Sequence, residues 1–390
     1  MLTEMDRVLA GLTRGLDLSA LDGGQGMGGR GDASFQARAD CFGAVLPSNS
    51  PGVHSLWLPV IPLKVPLAVK PGREEPWTPH RILQAFIRAG CPAEFLGFYP
   101  SDHAGAGEIL RRCGRSMLFG DTSATRPYQD DPRIEIHGPG YSKILLDEDA
   151  AGKWEQHLDL MVTSILENGG RSCINASAVW TPRHGREIAE ALAERLGSVP
   201  ALPAEHPDAR LAAFANPQTA ERISTLIDQA LGTPGAQDVT AGTRAGGRVV
   251  RLDGCAYLLP TLIRCETPDH PLANREFLFP YASVVSCPQA EMVERIGPTL
   301  VATAIIRDES FARALMASRD IDRLNLGPIP TCQVSWDQPH EGNLFEHLYR
   351  RRAFQLVDES ASASALADSS ILGNPSHGDF RSETRKPDIP

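Results

Sequence analysis

Residues 168–173 read NGGRSC, and this short turn determines how the sequence on both sides of it is interpreted. Before it, the apolar residues of 153–167 recur at helical spacing, so we predict a helix that ends at the paired glycines. After it, 176–180 is predicted to be a strand, with the thiol of Cys173 at the turn. A thiol on such a loop can face a substrate, and its own backbone N–H can face a developing oxyanion. On these residues alone, a structural cysteine is the commoner interpretation.

The sequence around this turn alternates short apolar strands with amphipathic helices. We predict a parallel sheet covered by helices on both faces, and therefore an α/β fold. Strands are predicted over 41–46, 67–69, 95–98, 116–119, 144–146, 248–252, 257–265 and 282–287. A short amphipathic segment spans 5–16, and helices are predicted from Thr78 to Gly90 and over 104–113, 183–196, 219–231 and 344–354.

The composition excludes several classes of protein. The chain has 390 residues, 42% of them hydrophobic, which is enough for two or three domains. A net charge of -10 argues against a nucleic-acid partner, and no apolar stretch is long enough to span a membrane. The eight cysteines form no C-x-x-C motif and no metal-ligand spacing, and no secretory signal is recognisable, so we expect reduced thiols and a cytoplasmic protein without a metal site.

The two ends of the sequence have low complexity. Residues 23–31 are rich in glycine and contain a G-x-G-x-x-G pattern, but no strand precedes it and no helix follows it, so we predict a flexible loop. Residues 358–390 are rich in Ser, Ala, Asp and Pro, and we expect this tail to be disordered.

Three segments resemble the catalytic motifs of the aldehyde dehydrogenase superfamily. Residues 168–173 resemble its N-x-G-Q-x-C nucleophile motif, with Arg171 in place of Gln. Residues 47–51, PSNSP, resemble P-W-N-F-P, and Glu135 begins a segment that resembles E-L-G-G. The resemblance implies that Cys173 is the nucleophile, that Asn49 helps to hold the oxyanion and that Glu135 is the general base.

Further segments resemble the cofactor-binding motifs of the same superfamily. Lys70-Pro71 followed by Thr78-Pro79 resembles K-P-S-E-x-T-P, residues 119–122 occupy the place of F-T-G-S, and 275–280, REFLFP, occupy the place of E-E-I-F-G-P. The resemblance implies that NAD or NADP binds near Lys70, Thr122 and Glu276. Arg73 stands where the superfamily has a ribose-binding Glu, which would suit NADP, and the alternative is that Glu74 or Glu75 takes that role.

These motifs occur in the superfamily's order from about residue 34 to residue 326. The implied architecture is a Rossmann-like cofactor domain followed by an α/β catalytic domain. We expect a flexible segment over 1–33, a truncated cofactor domain over 34–146 and a catalytic domain over 147–335. A C-terminal segment over 336–357, with an oligomerisation strand near 353–357, would precede the tail.

The resemblance implies oxidation of a small-molecule aldehyde to a carboxylate. Cys173 would attack the aldehyde, and Glu135 would activate the water that hydrolyses the resulting thioester. Two alternatives remain open: a CoA-acylating dehydrogenase or acyl-CoA reductase, and a non-catalytic member that has lost its cofactor. We expect a homo-oligomer with no nucleic-acid or membrane partner. His137, two residues after Glu135, is interpreted as a structural hydrogen-bonding residue.

Overall fold

The computed structural model describes part of the chain, namely residues 2–14, 34–244 and 246–352. The chain separates into one unit formed by 1–16 and 37–350 and another formed by 17–36 and 351–390. The glycine-rich stretch and the tail after residue 358 lie outside the described residues, and the expectations for them stay predictions.

The strands of the described residues are short. In chain order they are β1 Ser34–Ala37, β2 Phe42–Val45, β3 Leu67–Lys70, β4 Leu96–Phe98, β5 Arg115–Phe119, β6 Ile134–His137, β7 Lys143–Leu146, β8 Ala178–Thr181, β9 Ala236–Asp238, β10 Val249–Leu252, β11 Cys255–Leu258, β12 Thr261–Cys265, β13 Tyr281–Ser286, β14 Thr299–Ile305, β15 Ile321–Leu326 and β16 Tyr349–Arg352.

The α-helices alternate with these strands. In chain order they are α1 Met5–Leu12, α2 His54–Trp57, α3 Trp77–Arg88, α4 His103–Arg112, α5 Thr122–Thr125, α6 Glu148–Ala151, α7 Leu158–Leu166, α8 Gly185–Gly197, α9 Pro217–Leu231, α10 Gln289–Arg295, α11 Glu309–Ala317 and α12 Leu344–Leu348. Several begin at an Asp whose carboxylate accepts a hydrogen bond from a backbone N–H of the first turn, as Asp102 does for α4 and Asp308 for α11. In the described part of the chain, none of these helices is long and apolar enough to cross a membrane.

Two parallel sheets form the centre of the larger unit. The first has five strands in the order β4-β3-β2-β5-β6, and all of its pairs are parallel. The second has seven strands in the order β15-β14-β7-β8-β13-β12-β9, in which only the edge strand β9 runs antiparallel to its neighbour. Strands such as β2, β7 and β14 are buried along their whole length, which is typical of parallel sheets covered on both faces. The predicted α/β fold is confirmed.

The two sheets are joined by a five-residue linker, 138–142, between β6 and β7. Strand β7 pairs with β8 and β14 of the seven-stranded sheet, so the change of sheet comes before β7. The sequence-based boundary lies after β7, at residue 146. An apolar strand has the same pattern in either sheet, and only its pairing partners assign it.

Several predicted bounds are wrong in a way that the backbone explains. The predicted strand 257–265 is two strands, β11 and β12, because Leu259-Pro260 interrupts the pairing. The predicted helix 344–354 ends at Leu348, where the chain continues as β16 and pairs with β1 in a two-stranded sheet. Helix α3 begins at Trp77 rather than after a Thr78 cap, and the carboxylate of Glu75 accepts a hydrogen bond from Thr78 N. The predicted strand near 353–357 lies outside the described residues.

Candidate active site

The loop that carries Cys173 begins with three consecutive left-handed residues. After α7 the chain passes through Asn168 (φ 53°), Gly169 (φ 64°) and Gly170 (φ 66°). Glycine and asparagine adopt this region at the smallest cost. Gly170 also lies against the backbone just before β13, because a Cβ built on it would overlap Pro280 N and lie 2.5 Å from the carbonyl carbon of Phe279. The paired glycines therefore both reverse the chain and permit a close backbone approach.

Two polar side chains hold this loop in place. The amide of Asn175 accepts a hydrogen bond from Ser172 N (2.9 Å) and donates to the carbonyl oxygens of Ser164 (3.1 Å) and Glu167 (3.0 Å). From the linker between the sheets, the Ser142 hydroxyl donates to the Cys173 carbonyl (2.8 Å). The backbone on both sides of the thiol is thus fixed to α7 and to the linker.

The thiol lies at a cavity of about 210 Å³ between the two sheets. Polar groups from distant parts of the sequence line it, and they include Asn49, His137, Cys173, Glu276, His340 and Glu341. The Asn49 Nδ2 group donates to the Arg171 carbonyl (2.8 Å), while its Oδ1 atom is buried without a hydrogen-bond partner. Two of the three expected catalytic residues, Cys173 and Asn49, are therefore brought to one cavity.

The third expected catalytic residue, Glu135, lies outside the cavity that contains the thiol. It is not among the described residues that line the Cys173 cavity, and its Oε1 atom lies 3.1 Å from His137 Nε2. It lines a neighbouring cavity of about 80 Å³ together with His137, His340 and Glu341.

An alternating series of imidazoles and carboxylates connects these groups. His137 Nδ1 contacts Glu341, whose Oε2 lies 3.9 Å from His340 Nδ1, and His340 Nε2 lies 3.9 Å from Cys173 Sγ. Burial favours the neutral form of His137, but the charges of Glu341 and Glu135 outweigh it and raise the pKa of His137 to about 9. Burial lowers the pKa of His340 to about 4.

The electrostatics around Cys173 favour a neutral thiol. Burial raises the pKa of Cys173, and the charges of Glu276 and Glu341 raise it further. Burial also raises the pKa of Glu276 to about 7, although Tyr141 N donates a hydrogen bond to its carboxylate (2.7 Å). Since no cation pairs directly with the sulfur among the described contacts, attack by this thiol requires a group that takes its proton.

A second and larger cavity of about 590 Å³ adjoins the first at Glu276. Charged and hydroxyl side chains line it, and they include Glu74, Thr122, Arg222, Arg275 and Glu276. Of the expected cofactor residues, Thr122 and Glu276 therefore face this cavity.

The other two expected cofactor residues are placed differently. Lys70 ends β3 with its side chain largely buried, and burial lowers the pKa of Lys70. Arg73 is exposed and is not among the described residues that line the larger cavity, whereas Glu74 is. Of the three candidates for the ribose-binding position, Arg73, Glu74 and Glu75, Glu74 is the one among the described residues that line the larger cavity.

Sequence reasoning missed His340 and Glu341. Both lie in the loop before α12, where no motif was recognisable, and His340 is 167 positions from Cys173 along the chain. A weak signal was present, because two adjacent titratable residues stand between Pro339 and Gly342. His137, interpreted as structural, also belongs to the series of imidazoles and carboxylates.

Comparison with known proteins gives one family and one curated relative. A family model described as the aldehyde dehydrogenase family matches residues 41–299. The chain is 26% identical over 256 residues to the mitochondrial delta-1-pyrroline-5-carboxylate dehydrogenase of Emericella nidulans. That match covers 58% of the chain and 41% of the relative, so the chain spans less than half of the length of this relative.

Solved structures share the fold at low sequence identity. An indole-3-acetaldehyde dehydrogenase in complex with NAD+ is similar with a TM-score of 0.69 and 18% identity, over 90% of the present chain and 75% of the other. A succinic semialdehyde dehydrogenase from Streptococcus pyogenes in complex with NADP+ is similar with a TM-score of 0.68 and 16% identity, over 85% and 76% of the two chains. At these identities the likeness establishes the fold.

Proposed function

The chain belongs to the aldehyde dehydrogenase family, and on that basis we propose that it oxidises an aldehyde with NAD(P), using Cys173 as the nucleophile. The observation that carries the proposal is the position of the thiol. It lies at the end of a fixed left-handed turn, in a cavity between the two sheets that also contains Asn49 and Glu276.

The residues of the chain support a covalent route. Cys173 Sγ adds to the aldehyde carbon and the carbonyl oxygen becomes an oxyanion. The backbone N–H of Cys173 and the amide of Asn49 are the donors that we assign to it, and Arg171 O, which accepts from Asn49 Nδ2, orients that amide. Glu135 remains our candidate for the activation of water, and its Oε1 atom lies 3.1 Å from His137 Nε2.

The larger cavity supports a nicotinamide dinucleotide as the cofactor. Its volume of about 590 Å³ lies in the range of ligand pockets. The carboxylates of Glu74 and Glu276 can accept hydrogen bonds from ribose hydroxyls, and Arg222 and Arg275 supply positive charge for phosphates. When bound, such a cofactor accepts a hydride from the substrate. Because Glu74 rather than Arg73 lines the cavity, we expect NAD to be preferred over NADP.

We further propose that the five-stranded region binds the cofactor and that the seven-stranded region carries the nucleophile. Cys173 lies in the loop that leads to β8, whereas Thr122 follows β5 of the smaller sheet. Glu276 contacts the linker at Tyr141 and lines both cavities. The site therefore depends on both sheets being folded.

A CoA-acylating reaction is the second candidate. The observation in its favour is the position of Glu135, which lies outside the set of described residues that line the Cys173 cavity. Transfer of the thioester to a thiol has less need of a carboxylate that activates water. In this case turnover would require CoA and would survive Glu135→Gln.

The test is a panel of aldehydes assayed with NAD and with NADP, with and without CoA, beside the Cys173→Ala and Cys332→Ala variants. We expect reduction of NAD by the wild-type protein and by Cys332→Ala, and loss of at least about a thousandfold in Cys173→Ala, as for the removal of other covalent nucleophiles. Cys332 is a matched control because it is a half-buried free thiol outside the lining of both cavities, among the described residues.

Equal turnover by wild type and Cys173→Ala would remove Cys173 from the mechanism. Reduction only in the presence of CoA would replace the hydrolytic reaction by the acylating one. A clear preference for NADP would contradict the role given to Glu74.

A further inference from the structure

We propose that His340 is the proton acceptor for the Cys173 thiol, and that Glu341 positions and charge-stabilises the His340 ring. This pairing deepens the proposed function, on which it rests for the role of Cys173 as a nucleophile. It assigns the base to a loop in which the sequence contains no recognisable motif.

The contact between the two groups carries the inference. His340 Nε2 lies 3.9 Å from Cys173 Sγ, within the range of a sulfur–nitrogen hydrogen bond, and both side chains line the same cavity. Glu135, the base that the resemblance implies, contacts His137 instead. Of the described side chains that line this cavity, His340 is the one within hydrogen-bond distance of the sulfur.

The other side of the His340 ring faces a carboxylate. Nδ1 of His340 is buried without a hydrogen-bond partner and lies 3.9 Å from Glu341 Oε2. In this arrangement the carboxylate favours the proton on Nδ1 and leaves the Nε2 lone pair directed at the thiol. A carboxylate that orients an imidazole and stabilises its charged form is the arrangement found in nucleophile–histidine–acid triads.

The positions of His340 and Glu341 are held from two directions. Arg323, on β15, donates to the Pro339 carbonyl (2.7 Å) and to Gln338 Oε1 (3.3 Å), and so fixes the loop just before His340. His137 contacts Glu341 from the other side and stacks on Phe119, with ring centroids 4.5 Å apart. The acceptor is therefore part of a packed arrangement and does not depend on a freely moving loop.

The surrounding charges determine how this pair responds to pH. The titratable or charged groups that face it are Glu135 and His137 from β6, Asp322 and Arg323 from β15, Glu276 after β12, and Glu341 beside His340. Carboxylates near the sulfur disfavour a free thiolate. Because burial lowers the pKa of His340 to about 4, its imidazole is neutral and able to accept a proton throughout the neutral range.

The proposed step is the addition of the Cys173 thiol to an aldehyde carbonyl. The Sγ–carbon bond forms while the S–H bond breaks, the proton passes to His340 Nε2, and the carbonyl electron pair moves onto the oxygen. The resulting imidazolium lies beside the carboxylate of Glu341. No oxidant or further reactant is needed for this step.

The test uses alkylation of Cys173 by iodoacetamide, which requires neither an aldehyde nor a nicotinamide cofactor. The modified Cys173 peptide is quantified by mass spectrometry between about pH 6 and pH 9, because eight free cysteines are present. In the wild type we expect a rate that is nearly independent of pH, since His340 is neutral throughout. In His340→Gln we expect a fall of about tenfold or more at pH 7, and a rate that rises about tenfold per pH unit, because only the small thiolate fraction reacts.

His347→Gln is the matched control. His347 is also a half-buried histidine, but its Nε2 atom contacts the Ser116 carbonyl and not the thiol. This variant should retain the flat pH profile. In His340→Ala, added imidazole should restore alkylation at about pH 8 and above, where free imidazole is neutral, which a purely structural role for His340 would not allow. Circular dichroism verifies that each variant is folded.

The proposal is overturned if His340→Gln alkylates at the wild-type rate, or if the wild type itself shows the tenfold rise per pH unit. Failure of aldehyde oxidation with an intact alkylation profile would contradict the dehydrogenase function alone. Normal oxidation with an unchanged profile in His340→Gln would contradict the role of His340 alone.

Discussion

Replacing Gly170 by alanine tests why the turn before Cys173 has its sequence. Gly170 has φ 66°, and a Cβ there would overlap Pro280 N and lie 2.5 Å from the Phe279 carbonyl carbon. Two costs follow. An L-residue in the left-handed region costs about 1–2 kcal/mol, and forcing extra volume into a packed site costs about 1–3 kcal/mol. We therefore expect Gly170→Ala to lower the free energy of unfolding by about 2–5 kcal/mol.

Gly254→Ala separates the two costs. Gly254 has φ 77°, and no heavy atom lies within 4 Å of the position that a Cβ would take there, so only the backbone cost of about 1–2 kcal/mol applies. Urea unfolding of the wild type and both variants, followed by tryptophan fluorescence, measures the difference. Equal destabilisation by the two substitutions would refute the argument that close packing against Pro280 constrains this turn.

Two further predictions concern buried charges. The Asp238 carboxylate accepts from Arg244 (2.7 Å) and Arg248 (2.9 Å), and although burial raises the pKa of Asp238, these bonds hold it below its usual range. Asp238→Asn should lower the free energy of unfolding by about 3–5 kcal/mol at neutral pH, because it leaves Arg244 and Arg248 without their carboxylate partner. The difference from wild type should shrink as the pH falls through the lowered pKa of Asp238. An unchanged midpoint of urea unfolding at neutral pH would contradict this prediction. Burial lowers the pKa of Lys143 from 10.5 to about 7, which penalises the folded state fully below pH 7 and progressively less above it. The free energy of unfolding that Lys143→Met gains over wild type should therefore be about 2–3 kcal/mol larger at about pH 6 than at about pH 9. Urea unfolding at the two pH values measures this gain, and an equal gain at both would refute the prediction.

The fold class could be predicted because its signals are local. Strand β2 was predicted over 41–46 and is observed over Phe42–Val45, since a short apolar run ending at proline has few other structures available. The break within 257–265 was missed because Leu259-Pro260 lies inside a continuous apolar run. Strand β14 was also missed. Its seven residues are all buried, and an apolar run without alternation gives no period by which to assign it.

The candidate site could be predicted in part. Asn49, Cys173 and Glu276 lie within segments that match family motifs, and the structure brings all three to one cavity. Glu135 lies in such a segment as well, but its immediate neighbour is His137 and not the thiol. The identity of a motif residue therefore predicted its region of the fold and left its contacts undetermined.

By itself, the sequence determined the family, the α/β class and the turn that presents Cys173, because each motif, strand, helix and turn is a local pattern and the order of these patterns can be read along the chain. Tertiary structure decided which groups touch the thiol. The separation of 167 positions between Cys173 and His340 is bridged by the pairing of β15 and β14 and by the Arg323 contacts with the loop before His340. Such contacts are set by the packing of distant segments in three dimensions, and no local pattern of residues specifies them.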